Sequence, residues 1–220
     1  MLVMRTWYIP DATDVPGSIM WSGSTAGPQA PPGMYQVRIT SKGKTFAQPF
    51  EIRKDPRVAA TDADFKEQFD FLIKVRDKVS EAHEAVIAIR DIRSQTADLI
   101  KKLEKHPAKD SVSNAAKKMN DKLKIVEEEI IQVKIKAGQD ALNYPIKLND
   151  KLAGLSGVAG GADAKPTKQT YDVYADLAGK IDSLLVKYKA AVGPDLAAFN
   201  TLVRSLDVPA VLLKPAEKKN

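Results

Sequence analysis

Few side chains in this sequence are of the kinds that carry chemistry, and their spacing works against most of it. The two histidines, His83 and His106, lie far apart, and neither has the serine-and-carboxylate setting of a triad. Glu81-Ala82-His83-Glu84 has the texture of a zinc-protease helix, but the second histidine that would complete the chelate four residues on is missing. His83 therefore reads as a partly buried or surface histidine. Gly157-Val158-Ala159-Gly160-Gly161 is glycine-rich, yet no Gly-Lys-Ser/Thr follows it and no strand precedes it. A phosphate loop needs that context to aim its amides. Glu127-Glu128-Glu129 and Lys117-Lys118 are charge runs opposite an apolar stripe, and are expected to be solvated surface. Nothing identifies two carboxylates held across a cleft for glycoside hydrolysis. No catalytic residue, metal site or cofactor follows from these residues.

The side chains that stand out are aromatic. Trp7 and Trp21 could stack on a sugar ring or anchor an interface, although filling a small β core or an interdomain contact is the favoured reading. Tyr35, Val37 and Ile39 join them as interaction candidates, because they alternate with Gln36, Arg38 and Thr40 at a period of two and so line one face of a strand.

Two textures meet near residue 58. Both tryptophans and more than half of the prolines precede it, and long charged-and-apolar periodic stretches follow. Ser41-Lys42-Gly43-Lys44 is a hairpin turn, with glycine free to adopt positive φ. The return strand puts Phe46, Phe50 and Ile52 on the same face, and Pro49 places it at an edge. Arg5–Ile9 could supply a third strand, whereas 10–32 reads as a long irregular connection. Two or three strands are marginal alone. The sheet is expected to need a cover: the chain's own helices, a second copy, or another domain.

Helical periodicity then takes over. Thr61 is an N-cap with Asp62 and Asp64 in the first turn. Phe65, Leu72, Val79, Val86 and Ile100, with Val75, Ala82, Ile89 and Leu103 between them, form a coiled-coil-like seam of about six heptads. Arg93 and Thr96 interrupt it as a kink or polar layer, and His106-Pro107 ends the helix. A second helix follows Asp110-Ser111, with apolar positions from Val112 to Ala137 and a stop at Gly138. Asn143 caps a shorter helix carrying Ile146, Leu148, Leu152 and Leu155, and Gly154–Gly161 reads as a flexible loop. Thr167 starts a long helix striped by Tyr171, Tyr174, Ala178, Ile181, Leu185, Tyr188 and Val192. Gly193-Pro194 ends it and opens a last helix over Asp195–Leu206.

The prediction is an α+β, mainly α chain: an incomplete β segment at 1–57, an antiparallel long-helix bundle at 58–208, and a disordered tail at 209–220. The longest helix should be near 60 Å and the next two near 40 Å.

Composition narrows the partners. Lysine and arginine exceed acids by 34 to 28, a net charge of +6 spread along the chain, so nucleic acid is not an expected partner. Apolar runs of a few residues do not span a membrane. The absence of cysteine removes disulfides, thiolate metal sites and cysteine nucleophiles. That fits the cytosol and a packing-stabilised bacterial exterior equally.

Pro32-Gly33-Met34-Tyr35-Gln36-Val37-Arg38-Ile39 and Gln48-Pro49-Phe50-Glu51-Ile52-Arg53-Lys54-Asp55-Pro56-Arg57 resemble the C-terminal region of bacterial sortilin-like (BNR-repeat) β-propeller proteins commonly labelled glycosyl hydrolases. The similarity continues through Phe69–Arg93 and at Gln139–Asn149. This resemblance implies an Ig-like β unit and a helical tail behind an upstream propeller, in an exported protein. The propeller's Asp-box pattern has no match, since Thr13 to Trp21 has the wrong spacing, so any hydrolase activity would belong to the absent propeller. No signal peptide is visible at Met1–Trp7, and a fragment or truncated reading frame would explain that. The resulting expectation is a non-catalytic structural or interaction module. Its partner would be an upstream propeller or a second copy docked through the β segment. A glycan-binding accessory piece of a hydrolase and an independent helical-bundle adaptor are the alternatives.

Overall fold

The computed structural model describes residues 21–22 and 27–206. The predicted strand at Arg5–Ile9, the tail at 209–220 and the candidate Trp7 lie outside them. Two antiparallel strands, β1 (Gly33–Ser41) and β2 (Lys44–Ile52), precede five α-helices: α1 (Asp62–Lys102), α2 (Lys109–Ile130), α3 (Leu148–Gly160), α4 (Lys168–Ala190) and α5 (Leu196–Ser205). The chain is thus α+β and mainly α. No described helix is long and apolar enough to cross a membrane.

Helix α1 starts where the sequence places it. The Thr61 side chain accepts the backbone N–H of Asp64, and the Asp64 carboxylate accepts that of Thr61, a reciprocal cap. Its 41 residues span about 60 Å. Val75, Val79, Ala82, Val86 and Ile89 are buried along the seam. The Phe71 ring meets Tyr171 and Tyr174 of α4 edge-on, with centroids 4.9 and 5.6 Å apart. Where Arg93 and Thr96 break the apolar pattern, the helix runs on through a polar layer. Thr96 is fully buried and accepts a hydrogen bond from the Asn120 amide of α2 at 3.1 Å.

Four helical boundaries differ from the periodicity. Helix α2 ends at Ile130 instead of Ala137, with Ile131 extended at φ −125° and ψ 154°. Ile130, Ile131, Val133 and Ile135 are β-branched, which weakens a helix. Ile131 and Ile135 are buried from a non-helical segment, and Ala137 is exposed.

Asn143 caps no helix. A 3-10 turn at Gly138–Leu142 comes first, anchored by the Asp140 carboxylate accepting the backbone N–H of Lys136 and Ala137. Helix α3 then begins at Leu148. It runs through the glycines predicted as a loop, because Leu152, Ala153, Leu155 and Ala159 are buried beside α1 and α4. Gln68 of α1 closes its end, donating from its amide to the Ala159, Ala162 and Ala164 carbonyls at 2.6–2.9 Å. Burial against neighbours outweighs the roughly 1 kcal/mol that each helical glycine costs.

Gly193-Pro194 does not break α4 from α5. A π turn, Ala191–Asp195, absorbs the proline, and the N–H of Leu196 reaches back to the Ala191 carbonyl.

The three long helices turn their stripes inward and share one core with α3 and α5, with α3 packed against both α1 and α4. The hairpin stays outside that core. Among the described elements β1 and β2 pack only on each other, so of the covers considered for the sheet the chain's own helices do not supply it.

Candidate functional site

The hairpin is built by its turn. Lys42 and Gly43 both have positive φ, 47° and 74°, the pair of left-handed residues that closes a two-residue turn of type I′. Such a turn makes Ser41 and Lys44 a hydrogen-bonded pair. By alternation Ile39/Phe46, Val37/Gln48 and Tyr35/Phe50 also exchange backbone hydrogen bonds, while Thr40/Thr45, Arg38/Ala47 and Gln36/Pro49 do not. Two observations agree with this phase. The Thr40 and Thr45 hydroxyls lie 3.0 Å apart, as in a close, non-hydrogen-bonded pair. Pro49, which has no N–H to give, falls at a position whose N–H would point away from β1.

Tyr35, Val37, Ile39, Phe46, Phe50 and Ile52 therefore share one face, as their spacing predicted. Tyr35 is half-buried: its ring lies 5.8 Å from that of Phe50, and its hydroxyl donates to the Pro31 carbonyl at 2.6 Å. Ile52 is half-buried as well, and the other four are open. Val37 is 45%, Ile39 61%, Phe46 65% and Phe50 44% exposed, values that a core strand would not show. Large apolar side chains gathered on one exposed face mark interaction sites.

Trp21 lies elsewhere. It is 52% exposed, so of the two packing readings a filled β core is not what holds it. What is buried there is Asp150, whose carboxylate accepts the backbone N–H of Trp21 and of Ser22, each at 2.7 Å. Gly154, one turn along α3, lets Ser22 come close; a Cβ at that position would meet the Ser22 Cβ at 3.2 Å. Asp150 was not legible as a site residue, because an acid in the first turn of a helix is ordinary.

The bundle buries a second polar set. Glu127, assigned by its neighbours to a solvated charge run, is buried. It accepts from Arg90 Nε and Arg93 of α1, both at 2.6 Å. The signal for this was its place in the Leu123, Val126, Ile130 stripe. His83 is buried too, with its Nε2 3.1 Å from the Asn149 amide nitrogen, which suits the tautomer protonated on Nδ1. Burial, with the Arg90 charge adding to it, lowers the His83 pKa to about 4. Glu127 is paired with its two arginines and His83 with Asn149 inside the bundle. Among the described residues no cluster of three or more histidine, aspartate or glutamate side chains could hold a metal ion. The structure brings Tyr35, Val37 and Ile39 together on one surface and leaves Trp21 apart from them. No family model, no curated protein and no solved structure matches the chain.

Proposed function

We propose that the chain is a non-catalytic structural and interaction module, the C-terminal part of a propeller-type protein. In this reading the bundle is the rigid support and the hairpin the docking element. One observation carries it: four large apolar side chains stand open on one face of a two-stranded ribbon that packs on no helix. Each such side chain gains roughly 1.5–3 kcal/mol on full burial, and two strands alone are marginal. A partner that supplies a sheet or an apolar surface gains from both facts.

The test starts from neighbouring coding sequence. An in-frame propeller upstream is expected, and purified separately it should retain the immobilised chain. No upstream propeller would replace this reading with the independent adaptor. Purified chain should also show no glycosidase, esterase or protease turnover. Turnover abolished by one carboxylate substitution would overturn the proposal.

Trp21 favours a second reading, a glycan-binding accessory piece. Its indole is half-exposed while its backbone is held by Asp150, an arrangement suited to stacking on a sugar ring. A glycan array would show binding lost on Trp21→Ala; no bound glycan would dismiss this reading.

A further inference from the structure

We infer that the partner of the hairpin is a second copy of this chain, joined through the outer edge of β1 in an antiparallel register centred on Val37. The inference rests on the interaction-module reading above and specifies its partner.

The two edges of the hairpin are unequal. Hydrogen-bond alternation aims the N–H and C=O groups of Met34, Gln36, Arg38 and Thr40 outward from β1. No described residue pairs with that edge in the two-stranded sheet. On β2 the corresponding outward row is broken by Pro49. Only β1 offers an uninterrupted row of donors and acceptors, the form of edge that recruits another strand.

The sequence of β1 then selects its own copy and the register. The strand has nine residues, Gly33–Ser41, and its midpoint is Val37. Antiparallel pairing about Val37 uses all nine. Gln36 then exchanges hydrogen bonds with Arg38 of the second copy, and Met34 with Thr40. Tyr35 stands opposite Ile39, so the two apolar rows abut on one face. A shift toward the turn would set Arg38 opposite Arg38, which like charge disfavours. The opposite shift leaves the Thr40–Ser41 end unpaired. A shift by a single residue would turn apolar side chains against polar ones. In the centred register the two Lys42-bearing turns lie at opposite ends of the sheet, about 30 Å apart. The product is a four-stranded sheet with two-fold symmetry, in place of two marginal ribbons.

The closing experiment uses the full chain, which contains no cysteine of its own. At the two-fold axis a Val37→Cys pair would face itself as a non-hydrogen-bonded pair, with Cα atoms about 4.5 Å apart, inside the range a disulfide spans. Oxidation should give a covalent species of twice the 24.0 kDa chain mass. Ile39→Cys, about 14 Å from its mate, should stay single. Arg38→Pro removes an N–H that the hairpin does not use, as Pro49 already does on β2, so it should abolish the dimer in light scattering while circular dichroism is unchanged. A dimer that survives Arg38→Pro, or Ile39→Cys cross-linking as readily as Val37→Cys, would overturn the edge register. A chain monomeric at all concentrations, with no Val37→Cys cross-link, would overturn the second copy as partner. Retention by a purified upstream propeller, tested separately, would still leave the module reading standing.

Discussion

The carboxylate of Asp150 accepts the backbone N–H of Trp21 at 2.7 Å across 129 residues of sequence, and the N–H of Ser22 beside it at the same distance. One buried acid thus ties the segment before the hairpin to helix α3. Gly154 leaves Ser22 room, because a Cβ there would stand 3.2 Å from the Ser22 Cβ and press it to move. Asp150→Ala should lower stability by about 1.5–3 kcal/mol, the range for hydrogen bonds to a charged group. Gly154→Leu should lower it as well, and urea unfolding followed by circular dichroism measures both. An unchanged midpoint in both variants would mean the tie contributes nothing.

Glu127 joins α2 to α1 through two arginines, and its side chain is 4% exposed. Glu127→Ala would leave Arg90 beside an apolar wall with its carboxylate gone. A loss of about 3 kcal/mol is expected, the low end for breaking a buried pair because Arg93 reaches solvent. Lys168–Asp172, an exposed pair one turn apart on α4, should change stability by less than about 0.5 kcal/mol when broken. Equal effects from the two would show that burial of Glu127 has no energetic consequence.

His83 makes stability depend on pH in a defined window. Its folded pKa of about 4 lies below the usual 6.5, so between those values the unfolded chain binds the proton and the folded chain does not. Stability contributed by the neutral ring is therefore complete above about pH 6.5 and is lost as pH falls toward 4, by roughly 3 kcal/mol in all. The Asp64 and Asp140 carboxylates, both held below their usual value by hydrogen bonds, contribute losses only at lower pH. His83→Gln should flatten the slope between pH 6.5 and 4, as measured by urea midpoints at each pH. A slope unchanged in that variant would place its origin elsewhere.

The hairpin and the bundle should respond separately. Since neither strand packs on a helix, Val37→Asp should leave the thermal midpoint of the helices unchanged while it removes association. Light scattering over a concentration series and helical circular dichroism read the two effects. A fall in the helical midpoint would show that the bundle leans on the hairpin.

Local rules in the sequence determined the pieces whose cause is local. The period-two strand at Tyr35–Ile39, the turn at Lys42-Gly43, the Thr61 and Thr167 caps and the inward seams of α1, α2 and α4 all follow from side-chain alternation, positive φ and capping chemistry. What tertiary structure decided is set by partners distant in sequence. A Gln68 amide 91 residues away caps α3, whose glycines stay helical because its apolar side chains are buried against other helices. Two arginines on another helix make a buried residue of Glu127, which reads as surface among its acidic neighbours. An apolar strand face is written in the sequence, but whether a helix covers it depends on where the chain goes next, and here the chain leads away. Periodicity specifies which way a side chain points within its own element. Only the packing of elements specifies what it meets.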